Sequence, residues 1–245
     1  MKRILCGVRA VSEALRADPR NINLVHVSDA SPRGALAEVI LLAQAAKLTV
    51  EPTDALALDA LAKGVKHQGV IAVCGGDYPY LDLDALLQHA RARSDSPLLV
   101  ALDEVTDPHN FGAIVRSAVA LGAHGVITLK DRAAPVTATV VRASAGATEH
   151  AAIARVTNLS RALERLRDEG FTAVGLAGEA TVSLRDLDLR GALVLVVGSE
   201  GSGLRRLVRE RCDHLARIDL AGPVTSLNAS VAAGVALYEA VRQRR

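Results

Sequence analysis

Three stretches of this 245-residue chain gather polar side chains and glycines among apolar neighbours. LDEVTDPHNFGAIVRSA, Leu102 to Ala118, carries Asn110 and Arg116. LVLVVGSEGSGL, Leu193 to Leu204, carries Gly198 and Glu200. GPVTSLNASVAAG, Gly222 to Gly234, carries Ser226, Asn228 and Ser230. A carboxylate, a guanidinium, amides and hydroxyls are groups that orient a polar substrate and hold an anion. An arginine on an otherwise apolar helix has to find a partner, because burying it unpaired is prohibitive. Arg116 has two options: a structural ion pair with Asp103, Glu104 or Asp107, or a ligand.

The neighbours of these residues narrow the chemistry. Asp107-Pro108 marks a turn, and Asn110 is the expected N-cap of the helix that follows. Gly198, Gly201 and Gly203 let backbone approach a ligand closely. Their spacing is not that of a dinucleotide fingerprint. Leu204-Arg205 stand where a phosphate-binding loop needs Lys and Ser or Thr, so nucleotide binding of either kind is disfavoured. Ser226 reads as an N-cap and Asn228 as a solvated side chain. Ala232, Ala233 and Gly234 predict a helix packed closely on another backbone, inside a domain or at a subunit interface.

The elements that must position these loops alternate between strand and helix. From Leu98 onward, LLVALD, GVITLKD, FTAVGLAG, ALVLVVG and ARIDL read as strands. FTAVGLAG and ALVLVVG are continuous apolar runs, expected to be buried strands of a parallel sheet covered by helices. AIVRSAVALGA, VTATVVRASAGA and NLSRALERLRDEG are the intervening helices, the last closed by Gly170 as its C-cap. In such a sheet ligands bind beyond the carboxyl ends of the strands, where all three polar stretches begin. Ahead of this lies a smaller α/β region. GVRAVSEALRAD and RGALAEVILLAQAAKL are predicted helices, and NLVHVSD and GVIAVCGG predicted strands. The domain reading is 1–76, a linker at 77–96 with a short helical piece, and 97–245.

Composition sets outer bounds. The chain is 50% hydrophobic and 23% charged, enough for a sizeable core. No apolar run reaches the ~18 residues of a membrane span. Lys2 and Arg3 are followed too soon by Arg9 and Glu13 for a signal peptide. Cys6, Cys74 and Cys212 are scattered, and there is no CxxC or HExxH. A disulfide scaffold and a zinc site are therefore disfavoured, and a cytoplasmic protein without metal is expected. The net charge is only +2, carried entirely by residues 1–76. Aromatics are 2% with no Trp, which argues against a base-stacking platform.

Taken together, the three stretches resemble the three motifs of the SpoU (TrmH) family of RNA ribose methyltransferases, within the SPOUT superfamily. Asn110 to Arg116 resemble the first motif, Val197 to Leu204 the second, and Ser226-Leu227-Asn228 the third. GVRAVSEAL and KHQGVIAV are similar to the family's L30e-like substrate-binding domain. VTNL, SLNASVAAG and EAVRQR are similar to members that 2′-O-methylate a guanosine of 23S rRNA. The resemblance implies an α/β fold whose C-terminal parallel-sheet domain holds a deep trefoil knot, an exception to the rule against knots. It implies S-adenosylmethionine as methyl donor, held by Gly178, Gly198, Ile218 and Leu227. It also implies a homodimer with the closing helix at its interface, acting on 23S rRNA or an assembling large subunit.

On this resemblance Arg116, Asn110, Glu200, Ser226 and Asn228 form the catalytic set. Arg116 either takes the 2′-hydroxyl proton or clamps the adjacent phosphate. A guanidinium with a pKa above about 12 favours the clamp. Two other functions fit the same motifs: a tRNA 2′-O-methyltransferase, and an RNA-binding protein that keeps the fold without catalysis. The N-terminal domain speaks against the smaller tRNA type, and the intact Arg116, Glu200 and Asn228 against the non-catalytic one.

Overall fold

The computed structural model describes residues 3–28 and 33–245. Lys2 and Asp29, which entered the readings above, lie outside the described residues. The chain divides into two compact units. One comprises residues 1–79 with 135–150, the other 80–134 with 151–245.

In the first unit, β1 (Ile4–Cys6), α1 (Val8–Ala17), β2 (Ile22–Val27), α2 (Ala35–Ala45), β3 (Thr49–Pro52), α3 (Ala55–Ala62) and β4 (Val70–Cys74) follow in order. The sheet order is β1-β4-β2-β3, with only the β2–β3 pair parallel. β4 is buried along its whole length, as its apolar sequence VIAVC requires. Residues 135–150, which lie far along the sequence, belong to this unit. Arg3 there makes a bidentate pair with Glu149, at 2.7 and 2.9 Å, with both side chains less than 10% exposed. Glu13 meets His150 at 2.9 Å.

The second unit contains α4 (Leu83–Arg91), β5 (Leu98–Leu102), α5 (Pro108–Ala120) and β6 (Gly125–Leu129). The chain then passes through α6 (Ala138–Ala143), which belongs to the first unit. It returns with β7 (Ile153–Val156), α7 (Leu159–Asp168), β8 (Thr172–Leu176), β9 (Val182–Ser183), β10 (Leu193–Val197), α8 (Arg206–Arg209), β11 (His214–Arg217) and α9 (Ala229–Gln243). All seven strands run parallel in the order β7-β6-β5-β10-β8-β11-β9. β5, β6 and β10 are buried at every position, as the continuous run of β10 predicts, whereas β8, read as a second such run, is only half-buried at its two ends. One layer of the core unites Ala101, Ile127, Val194 and Val196 of the sheet with Leu159, Leu163 and Leu166 of α7. Leu86, Leu87 and Ala90 of α4 join it. α4 lies inside the stretch read from sequence as a linker.

Two local expectations need correction. Asp107 rather than Asn110 caps α5: its carboxylate accepts from the His109 amide at 3.0 Å. Pro108 then occupies the first turn, where a missing N–H costs nothing. α7 is capped by Glu169, and Gly170 takes the left-handed position one residue later, at φ +81.

Candidate active site

The sheet changes direction between β5 and β10. From β5 the chain proceeds outward to β6 and β7, while β10 is flanked on its other side by β8. Leu102 and Val197, the last residues of β5 and β10, are register partners. Asp103 and Gly198 therefore leave the sheet side by side, at the kind of crevice that binds ligands in open α/β sheets. The loops after β8 and β11 leave the same edge, since Ala216 of β11 pairs with Leu176 of β8.

Asn110, Glu200 and Asn228 come together from three of these segments. Asn110 sits in the first turn of α5 and is only 6% exposed, so its side chain needs partners. Its Nδ2 donates to Glu200 Oε1 at 2.6 Å, and its Oδ1 accepts from Asn228 Nδ2 at 3.0 Å. Asn228 Nδ2 also donates to Glu200 Oε1, at 2.5 Å. The other end of Asn228 caps α9: Oδ1 accepts from the Ser230 amide at 2.9 Å and from the Ser230 hydroxyl at 2.6 Å. Asn228 rather than Ser226 is thus the N-cap. Both amide donors converge on one carboxylate oxygen, Oε1, and Oε2 takes no hydrogen bond among the described residues.

The Glu200 loop is itself tightly folded. Ser199 and Gly203 exchange two backbone hydrogen bonds of 3.1 Å, so residues 200–202 form the tip of a small loop. A Cβ on Gly198 would lie 2.3 Å from the Gly203 carbonyl carbon and 2.5 Å from the Leu204 amide nitrogen. Only glycine permits that return.

Beside this cluster lies a cavity of about 1100 Å³. Gly178, Gly198, Ile218 and Leu227, the four residues assigned to the methyl donor, all line it, as do Glu200, Ser226 and Asn228. Leu176, Val197, Ile218, Leu220 and Leu227 supply apolar surface for a planar base. Gly178 and Gly198 expose bare backbone, and Glu179, Glu200 and Asp219 line the cavity, Glu179 paired with Arg209 and Asp219 with Arg185 and Arg217. The chemistry of the lining fits a sulfonium-bearing nucleoside. At the rim, the hydrogen bond from Ser183 holds the Asp219 carboxyl below its ordinary range, with Arg185 and Arg217 acting in the same sense.

Arg116 stands apart. It is exposed on α5 and makes no hydrogen bond or ion pair among the described residues. The structural pairing open in the sequence is therefore not realised. Arg205 takes Asp103, Arg205 and Arg132 share Glu104, and Asp107 caps α5. Ser226 lines the cavity without joining the Asn110–Glu200–Asn228 cluster. Sequence reasoning missed Arg205, which drew notice only as a residue that breaks a nucleotide-binding pattern. An arginine placed directly after a glycine-rich loop, opposite an acid ending the neighbouring strand, was the available signal.

The model of the SpoU rRNA Methylase family matches residues 97–238 of this chain. A 23S rRNA (guanosine-2′-O-)-methyltransferase, RlmB of a Burkholderia species, is 45% identical over 99% of this chain and 97% of its own. The chain belongs to the SpoU rRNA methylase family. Residues 4–79 match a second model, described as RNA 2′-O ribose methyltransferase substrate binding. Among solved SpoU structures, the methyltransferase AviRb of Streptomyces viridochromogenes in complex with the cofactor AdoMet superposes with a TM-score of 0.81. It is 31% identical and covers 99% of this chain and 90% of its own. A TrmH/SpoU tRNA modifying enzyme of A. aeolicus reaches a TM-score of 0.54 at 32% identity and covers 66% of this chain and 82% of its own. Of the three stretches read as motifs, Asn110 to Arg116 lies in α5, Val197 to Leu204 runs from the end of β10 into its loop, and Ser226 to Asn228 precedes α9.

Proposed function

We propose that this protein transfers a methyl group from S-adenosylmethionine to the ribose 2′-hydroxyl of a guanosine in 23S rRNA. The observation that carries the reading is the Asn110–Glu200–Asn228 cluster set against the cavity whose lining suits the methyl donor. The near full-length likeness to a 23S rRNA guanosine methyltransferase supports the substrate. The tRNA alternative has less support from the solved structures, where the tRNA modifying enzyme of A. aeolicus covers 66% of this chain.

The cofactor, when bound in the cavity, supplies an electrophilic methyl group. The residues of this chain place the nucleophile. Asn110 and Asn228 hold Glu200 through Oε1, and Oε2 accepts the hydrogen bond of the ribose hydroxyl. Arg116 clamps an adjacent phosphate through its guanidinium, whose planar fork of donors suits phosphate oxygens. Positioning then supplies much of the rate. Ser226 faces the cavity from the loop before α9 and orients the ribose.

The same reading includes a homodimer. Val231, Val235 and Tyr238 form a stripe at helical spacing on α9, and are 50, 40 and 62% exposed. Such a stripe is suited to a second copy. It also includes the trefoil knot, with which the insertion of β10 between β5 and β8 is compatible. Residues 1–76, whose sequence carries the net charge of +2, grip the RNA. With an rRNA substrate, the site of action is the cytoplasm.

The test is transfer of labelled methyl from S-adenosylmethionine to large-subunit RNA of cells lacking the modification, followed by nuclease digestion. Label in 2′-O-methylguanosine is expected. Label confined to tRNA, to a base, or absent altogether overturns the reading.

A further inference from the structure

Asp103 directly follows β5 and has no solvent exposure at all. A carboxylate so placed has to be paired and hydrogen-bonded. One residue does all of this. The Arg205 backbone amide donates to Asp103 Oδ2 at 2.8 Å. Arg205 Nε and Nη2 meet Oδ1 at 2.7 and 2.6 Å. The Asp103 amide in turn donates to the Val197 carbonyl at 2.8 Å.

Arg205 also reaches the next residue. Its Nη1 lies 3.2 Å from Glu104 Oε1, to which Arg132 Nη1 adds an ion pair at 2.8 Å. Glu104 holds a left-handed backbone, φ +56, unusual for a residue with a side chain. It opens the turn that delivers Asp107 and then Asn110. Arg205 itself directly follows the loop whose tip is Glu200. The guanidinium thus pins the root of the Asn110 segment to the end of the Glu200 loop, while the catalytic ends of those segments meet at 2.6 Å.

We infer that Arg205 is a positioning residue for methyl transfer, setting the place of the Glu200 carboxylate by tying its loop to Asp103 and Glu104. This rests on the proposed function, and it assigns a role beyond the residues named there. Arg205 touches neither Asn110 nor Asn228; it acts through Glu200. A planar fork with several donors can serve both acids at once, which the point charge of a lysine cannot.

The test is a double-mutant cycle of Arg205→Lys and Glu200→Gln, read in single-turnover transfer and in the KM for S-adenosylmethionine. The expected result is a loss of roughly tenfold in transfer for Arg205→Lys, with little change in cofactor KM. In the Glu200→Gln background the added loss should fall below about threefold. Equal fold-losses in both backgrounds would mean a merely structural arginine and overturn the inference. Hydrogen exchange without cofactor gives a readout independent of activity. Amides 199–204 should exchange faster in Arg205→Lys, while those of β5 and β8 stay protected. Uniformly faster exchange, or none, sinks the idea. If Arg205→Lys does not fold, the neutral pair Asp103→Asn with Arg205→Gln removes the buried charges together and should show the same cycle. A wild-type protein that transfers no methyl would defeat the proposed function, and the exchange result would still decide the place of Arg205.

Discussion

Asn110 and Glu200, ninety residues apart in the chain, are joined by a 2.6 Å hydrogen bond, and Asn228 bonds to both. The three residues come from the loop after β5, the loop after β10 and the cap of α9. Under the proposed function, their meeting point is where the polar nucleophile is placed.

Asn228 serves two tasks with two ends of one amide. Asn228→Asp keeps an oxygen for the cap of α9 and replaces the donor to Glu200 by a second acceptor. We expect the melting temperature to stay near that of the wild type and methyl transfer to fall at least about tenfold, as for loss of a hydrogen bond to a charged group. Asn228→Ala should lose the cap as well, costing about 1 kcal/mol of stability. An Asp variant with full turnover would show that the amide serves α9 alone. Thermal unfolding beside single-turnover transfer separates the two tasks.

Arg116 is exposed and without an ion pair among the described residues, so its removal should barely touch folding. Arg116→Ala is expected to change stability by no more than about 0.5 kcal/mol. It should lower transfer strongly, weaken RNA binding and reduce the salt dependence of that binding. Arg116→Lys should retain part of the rate, since an ammonium still meets a phosphate as a point charge. A rate loss in Arg116→Ala matched by an equal loss of folded protein would return the residue to a structural role.

A fragment starting at Pro97 tests how far the second unit depends on what precedes it. The cut removes Leu86, Leu87 and Ala90 from the core layer beneath the sheet. Burial of two leucines alone is worth about 3–6 kcal/mol, a large share of a domain's ~5–15 kcal/mol. It also strips residues 135–150 of Arg3 and Glu13, the partners of Glu149 and His150. Dye binding and a broad, uncooperative melt are expected. A sharp transition close to that of the whole chain would show that α4 contributes little.

The legible part of the molecule was the part written in local pattern. β10 announced itself as an unbroken apolar run, and the rule that ligands gather at the carboxyl ends of parallel strands pointed to the edge where Asn110, Glu200 and Asn228 meet. The cap of α5 was misplaced because Asn110 looked like a cap. Asp107 followed by Pro108 is the better signal, and Asn110 is free to turn toward Glu200. β1 is three residues long and offers too little pattern to read. The affiliation of residues 135–150 could not be read, because it rests on pairs such as Arg3–Glu149, 146 positions apart, which no window of sequence contains. Arg205 was missed for the same reason: its meaning lies in Asp103, 102 positions away.

The central claim is that the Glu200 carboxylate, held by two amides beside the cavity, places the attacking hydroxyl. The most direct measurement is single-turnover methyl transfer to 23S rRNA by Glu200→Gln, with cofactor affinity and melting temperature recorded on the same protein. The substitution keeps size and shape and removes only the charge. The account predicts transfer reduced at least about tenfold, with cofactor binding and stability near those of the wild type. Transfer within twofold of the wild type at normal cofactor occupancy would contradict it.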